Sequence, residues 1–339
     1  MSFRSDYLRD LNRLPAAEAE DLALRLFRHQ ARYCAPYRHW LQHLGCRPDD
    51  IKQLTDIPFL PIEFFKTHAV VTTEPGDEWT AQEEFSSSGT TGQVRSRHLV
   101  RDPQLYRRNA ARIFEQTYGP LQSWTFLALL PSYLEQGQSS LVAMVEHFVR
   151  KSGQPTGAAF FLHDHAALLR AIGQVRQAAP QRRIMLIGVS YALLDLVQAH
   201  AAAPELRLLD AVLETGGMKG RRREMIREEL HAELQRGFGP APIHSEYGMT
   251  ELLSQAYSPG YGRFHLPPQL LLLLRDPSDP FSLSATRGAG AANVVDLANV
   301  DSCAFIETRD LARRHPDGSF EIMGRLDNSD IRGCNQMAG

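Results

Sequence analysis

The sequence predicts an α/β fold class: a mostly parallel sheet covered by helices, preceded by a helical stretch and followed by a smaller β-rich part. Three observations predict it. From about residue 105, short apolar runs alternate with amphipathic segments, the strand-helix-strand rhythm of a parallel sheet. Helical spacing dominates the first fifty residues. After about residue 240 that spacing stops, and Pro- and Gly-rich turns separate short apolar runs.

Taken in order, Leu22, Leu26, Phe27, Tyr33, Tyr37, Trp40, Leu41 and Leu44 mark helices in residues 1–50, with Pro36 a break or kink. TFLALLP (125–131), GAAFFL (157–162), RIMLIGV (183–189) and LLDAVLE (208–214) predict buried strands. Between them, roughly 138–151, 165–178, 191–202 and 219–236 predict helices. LLLLL (270–274), NVVDL (293–297), CAFIET (303–308) and SFEIM (319–323) predict an antiparallel set. In such a body, function belongs to loops at strand ends.

The bulk properties exclude several classes. In 339 residues, 43% hydrophobic and 22% charged, there is material for a sizeable core and little reason for disorder. A net charge of −2 gives no general attraction to nucleic acid or anionic membrane. The N-terminal MSFRSDYLRDLNRL lacks the apolar core of a secretory signal, and Leu270–Leu274 is far shorter than the ~20 residues of a membrane helix. The expectation is a cytoplasmic protein with neither nucleic-acid nor membrane partners. Cys34, Cys46, Cys303 and Cys334 are scattered without C-x-x-C spacing, so free thiols are expected, the first three in the core.

Two stretches carry chemistry. FSSSGTTGQVRSR (85–97) offers glycine-freed backbone amides flanked by hydroxyls, a concavity suited to phosphate oxygens. It lacks the G-x-x-x-x-G-K-[ST] spacing of a P-loop, and Arg95 and Arg97 downstream could supply charge. EYGMTEL (246–252) brings an aromatic, a glycine, a hydroxyl and a carboxylate close together. An aromatic face can stack on a purine, and a Glu can hold Mg²⁺ alongside substrate phosphates. LETGG (213–217) ends a predicted strand in two glycines, where backbone can approach a flat ring.

Ser-Ser-Ser-Gly-Thr-Thr-Gly, then Gly-Gly, then Tyr-Gly-Met-Thr-Glu, then an Asp, then Gly-Arg is the motif order of the adenylate-forming enzymes, which activate carboxylic acids with ATP. Through IPFLPIEFFKTH (57–68), PSYLEQGQSSL (131–141) and GRLDNSDIRGC (324–334), the chain most resembles their acyl-protein synthetase branch, which serves bacterial bioluminescence fatty-acid reductases. The resemblance implies an adenylation domain over 1–324, helical in 1–50 and β-rich from about 240, and a tail over 325–339. It implies ATP and Mg²⁺ as cofactors, and ATP phosphates cradled by Ser86, Ser87, Ser88, Gly89, Thr90, Thr91 and Gly92. Gly216 and Gly217 would line the adenine slot, with Tyr247, Gly248 and Met249 beside the base. Thr250 would contact phosphate, Glu251 Mg²⁺ and Asp310 the ribose, while Arg325 marks the hinge where relatives continue into a lid.

Here only fourteen residues follow Arg325, so the lid and its lysine are expected to be absent, as in the acyl-protein synthetases. The lysine that often follows the phosphate loop is missing too, so either Arg95, Arg97 or Lys66 substitutes, or the enzyme is slow, or a partner completes the site. Cys334 matches the cysteine that in those enzymes receives the acyl group from acyl-AMP and passes it to a reductase. A thiol suits this, being nucleophilic and giving a thioester that stays activated. The implied substrate is a carboxylic acid, first a fatty acid, and the implied partner an acyl reductase or carrier protein. Alternatives are transfer to coenzyme A, a carrier arm or an amine, and a non-catalytic binding subunit. His163, Asp164 and His165 read as turn and helix cap rather than metal ligands, and KGRRRE (219–224) as a solvated or docking face. Phe64, Phe65 and Tyr133 could wall an acyl channel or fill the core.

Overall fold

Every residue of Trp124–Leu129 is buried, as a strand covered on both faces must be. In the computed structural model, which describes residues 2–87, 94–131, 138–217, 225–284 and 287–326, this strand opens a five-stranded sheet. Trp124–Leu129, Arg183–Gly188, Ala211–Glu214 and Ile243–Tyr247 run parallel in that order. Ala256–Ser258 adds an antiparallel edge. Helices Ser140–Lys151, His165–Ala178, Ser190–His200 and Arg227–Phe238 lie in the connections, as parallel pairing requires. Asp164 caps its helix by accepting the Ala167 amide at 2.8 Å, so the HDH triplet is cap chemistry.

This sheet belongs to one of two compact units, formed by residues 107–249 and 255–264; the other is formed by residues 2–106, 250–254 and 265–326. In the second, helices Phe3–Asn12, Ala19–Tyr33 and Ala35–His43 accompany a mostly antiparallel sheet. Its order is Leu60–Pro61, Phe305–Arg314, Ala289–Asp296, Leu270–Asp276 and Asp279–Ser284, with Phe320–Arg325 also on Phe305–Arg314. Leu60–Pro61 alone among these pairs in parallel. Phe27, Tyr37 and Phe59 gather around the Phe305 ring at 5.7–6.0 Å. The Gln30 amide, fully buried, donates to the Asn299 carbonyl at 2.7 Å and accepts the Ala304 amide at 2.9 Å. The core thus fastens a helix to the turn between two strands.

Several elements depart from the sequence reading. GAAFFL is not a strand: Thr156–Ala158 is a 3-10 turn, and only Phe160 bridges to Ala128. Pro155 and Gly157 favour a turn over a ladder there. LLDAVLE is a strand only from Ala211, because Pro204 starts a helical turn through Leu208. The helix expected over 219–236 is described from Arg227, and 218–224 lie outside the described residues. Pro36 sits in the first turn of a new helix, after a break at Cys34, where its missing N–H costs nothing. Cys34 and Cys303 are buried as expected, whereas Cys46 is half-buried. Among the described residues no helix is long and apolar enough to cross a membrane.

Helices Ser190–His200 and Arg227–Phe238 meet at Gly237, where an added Cβ would lie 2.1 Å from Val197 Cγ1. Gly237→Ala is expected to cost about 1–3 kcal/mol by overpacking, and Val197→Ala in the same chain to recover part of it. Urea unfolding of the single and double variants checks this.

Candidate active site

The hydroxyl-rich loop leaves the strand Glu83–Ser86 and returns into Arg97–Val100, which pair antiparallel. Its feet are tied: the Ser87 amide donates to the Ser96 carbonyl and the Ser96 amide to Ser87 Oγ, both at 3.0 Å. Ser86 and Ser87 are therefore placed, while Ser88, Gly89, Thr90, Thr91 and Gly92 lie outside the described residues. Of the cations proposed as substitutes, Arg97 is engaged by Glu84 at 3.1 and 3.0 Å. Arg95 and Lys66 are exposed.

Thr250 and Glu251 belong to the same unit. Glu251 is only 5% exposed. Burial raises its carboxyl above the ordinary value, opposed by a hydrogen bond from the Ser96 side chain and by the positive charges of Arg325 and Lys66. Its carbonyl accepts from Asn299 Nδ2 at 2.8 Å. The Thr250 carbonyl lies 2.9 Å from His98 Nδ1, and His98 Nε2 lies 3.1 Å from Ser302 Oγ. Burial lowers His98 to about 4, so the ring is neutral. Because a carbonyl only accepts, the proton sits on Nδ1 and Ser302 donates to Nε2. One step on, fully buried Asp296 accepts the Leu253 and Ser254 amides at 2.6 and 2.9 Å and the Ser254 hydroxyl at 2.6 Å.

Asp310 and Arg325 face each other across adjacent strands, with Arg325 Nε 3.6 Å from Asp310 Oδ1. The arginine is 70% exposed, so the contact contributes little stability. Phe65 is buried edge-on to His98 at 5.7 Å, and Phe64 packs on Trp40 and His68. Phe65 is therefore core. Among the described residues no three metal-ligating side chains cluster. Mg²⁺ bound together with substrate phosphates needs only one or two protein carboxylates, and Glu251 is a buried carboxyl at this hairpin.

In the other unit, the Gly-Gly turn and the Tyr-Gly stretch follow neighbouring parallel strands, with Glu214 in register with Ser245. Ligands of parallel α/β sheets gather at this carboxyl edge. Gly216 and Gly217 have φ of +73° and +89°, which side chains disfavour. Glu214, 1% exposed, folds back to accept the Gly216 amide at 2.8 Å, and also takes Arg227 Nη1 at 2.6 Å and Ser190 Oγ at 3.3 Å. Burial alone would raise its carboxyl, but hydrogen bonds from His231, Ser245 and the Gly216 amide, with the Arg227 charge, hold it down to about 2.

Tyr247 is 7% exposed and its ring meets Phe264 at 6.0 Å. At Gly248, which is exposed, an added Cβ would lie 2.2 Å from Glu246 Oε1, the far end of a flexible side chain. Loss of water around that carboxyl, then the nearby Glu214 charge, push Glu246 up to about 8. Met249 is half-buried. The structure thus brings Ser86, Ser87, Thr250 and Glu251 to one hairpin, pairs Asp310 with Arg325, and sets Gly216, Gly217, Tyr247 and Gly248 on one sheet edge. Cys334 lies outside the described residues. Ser96, Glu214 and Glu246 lie inside the motif stretches 85–97, 213–217 and 246–252 but are given no role there, and His98 and Asp296 lie outside them; their partners are revealed only by the fold.

Comparison with curated proteins agrees with the resemblance that the motifs carry. The chain is 36% identical over 73 residues to a long-chain-fatty-acid–luciferin-component ligase from Photorhabdus luminescens, covering 21% of this chain and 58% of that relative. The chain therefore spans little more than half the length of the curated relative it matches. Among solved structures, it is similar to an O-succinylbenzoate coenzyme A synthetase from Bacillus subtilis in complex with AMP, at 17% identity and a TM-score of 0.47. That likeness covers 76% of this chain and 66% of the other. It is similar as well to a long-chain-fatty-acid–CoA ligase from Archaeoglobus fulgidus, at 10% identity and a TM-score of 0.44, over 69% and 50% of the two chains. No family model matches.

Glu214 and Glu246 give opposite pH dependences. Stability from Glu214 is present above its unfolded value near about 4.3 and lost as pH falls toward about 2. Glu246 keeps its proton up to about 8 in the fold, so its contribution is full below about 4.3 and lost as pH rises through about 8. Between pH ~6.5 and ~8 the wild type should lose more stability than Glu246→Gln. Equal slopes in urea unfolding would contradict this.

Proposed function

We propose that the protein is an adenylate-forming ligase that activates a carboxylic acid, first a fatty acid, with ATP. It then passes the acyl group to Cys334 for delivery to an acyl reductase partner in the cytoplasm. The observation that carries this reading is the meeting of two motif segments on one hairpin: Ser96, which closes the hydroxyl loop, bonds the Glu251 carboxylate. Phosphate-binding hydroxyls and a buried carboxylate held against their base suit phosphoryl chemistry in which positioning and charge compensation dominate. The fatty-acid ligase name of the Photorhabdus relative supports the substrate class.

In the proposed reaction the substrate carboxylate attacks the α-phosphorus of ATP and pyrophosphate leaves, giving acyl-AMP. The amides and hydroxyls of Ser86 to Gly92 would receive the phosphate oxygens, with Thr250 beside them. Glu251 would hold Mg²⁺, whose chemistry when bound is to neutralise charge on those oxygens. Gly216, Gly217, Tyr247, Gly248 and Met249 would serve the base and Asp310, beside Arg325, the ribose. The Cys334 thiolate would then attack the acyl carbonyl, releasing AMP and forming a thioester that keeps the carbonyl activated.

Incubated with ATP, Mg²⁺ and its acid, the chain should gain an acyl mass that hydroxylamine removes. Cys334→Ser should still form acyl-AMP, trapped as hydroxamate, but carry no adduct by intact-mass measurement. An equal adduct on Cys334→Ser, or AMP release that requires coenzyme A, would contradict the cysteine-carrier step.

A further inference from the structure

Residues two apart on an extended chain point to the same face. Ser96 and His98 stand in that relation at the return of the hydroxyl loop, and both are buried, at 3% and 1% exposure. They meet consecutive residues of the carboxylate motif: Ser96 bonds the Glu251 side chain, and His98 Nδ1 bonds the Thr250 carbonyl at 2.9 Å. The ring is held elsewhere by Ser302 at 3.1 Å and by the Phe65 edge at 5.7 Å. Ser302 lies three residues from Asn299, which takes the Glu251 carbonyl at 2.8 Å.

A phenylalanine would fill much of the same space. An imidazole there costs desolvation unless both nitrogens are bonded, and both are. What the ring supplies beyond volume is a donor aimed at the backbone of Thr250, one bond series away from the Glu251 carboxylate. We propose that His98 is a positioning residue: through the Thr250 carbonyl it fixes where Glu251 stands against the foot of the hydroxyl loop, and so sets the recognition of ATP with its Mg²⁺. This rests on the reading of Glu251 as the magnesium-side carboxylate.

The test compares wild-type chain with His98→Phe, which keeps the ring shape without nitrogens, His98→Asn, which keeps a donor near the Nδ1 position, and Ser302→Ala, which frees the far side of the ring. ATP binding is measured by calorimetry with Mg²⁺ and with EDTA, alongside KM for the acid. His98→Phe should lose about tenfold or more in Mg²⁺-dependent ATP affinity, the scale seen when groups orienting a metal ligand are removed. Its EDTA-state ATP affinity and its KM for the acid should stay near wild type. Ser302→Ala should show a smaller loss of the same kind, and His98→Asn should recover most of it. A merely structural role would lower ATP affinity equally with and without Mg²⁺, or lower thermal stability alone, and either result overturns the proposal. Should His98→Phe fail to fold, Ser302→Ala and His98→Asn decide it by the same ratio. A wild type that binds ATP identically with Mg²⁺ and with EDTA would instead overturn the underlying reading of Glu251.

Discussion

Buried polar groups take the Thr250 and Glu251 carbonyls and the Leu253 and Ser254 amides, and the candidate chemistry depends on that. A carboxylate as deeply buried as Asp296 is costly unless its oxygens are filled. Here they take the Leu253 and Ser254 amides, the Ser254 hydroxyl and the Ala298 amide. Asn299 and His98 take the two carbonyls just upstream. Apolar packing alone would leave this segment free to slide by fractions of an ångström. A set of directional bonds from three places in the sequence does not, which is why a small substitution in any of them should be felt at Glu251.

The other unit shows the same economy with two glutamates in unlike surroundings. Glu214 is ringed by donors and a guanidinium and stays ionised. Glu246 lacks such compensation and keeps its proton. The first locks a turn whose positive φ favours glycine; the second places a carboxylate oxygen beside Gly248. The Gly-Gly pair thus has a backbone cause, the positive φ of Gly216 and Gly217.

Much of the fold was legible because burial leaves a pattern. The helix expected over 165–178 matches His165–Ala178, and the uninterrupted apolar run RIMLIG is a strand buried at all but its first position. GAAFFL failed because a run of small and aromatic residues fits a turn packed against a neighbour as well as a strand. Ile243–Tyr247 and Asp279–Ser284 were missed because histidine, serine, glutamate and proline dilute the apolar signal. The motif residues were legible through resemblance, since glycines and hydroxyls in a fixed order are rare by chance. His98 and Asp296 were not, because their meaning lies in contacts spanning 152 and 42 to 43 residues, and no local spacing records such pairs.

In the proposed reaction Glu251, as held here, would serve acid activation by ATP. Carboxylic-acid-dependent exchange of pyrophosphate into ATP tests it most directly, measured for wild type and Glu251→Ala across fatty acids of several chain lengths and a few aryl acids. Exchange is expected with one class of acid and should fall by about a hundredfold or more in Glu251→Ala. Exchange with no acid at all, or exchange unchanged in Glu251→Ala, would contradict it.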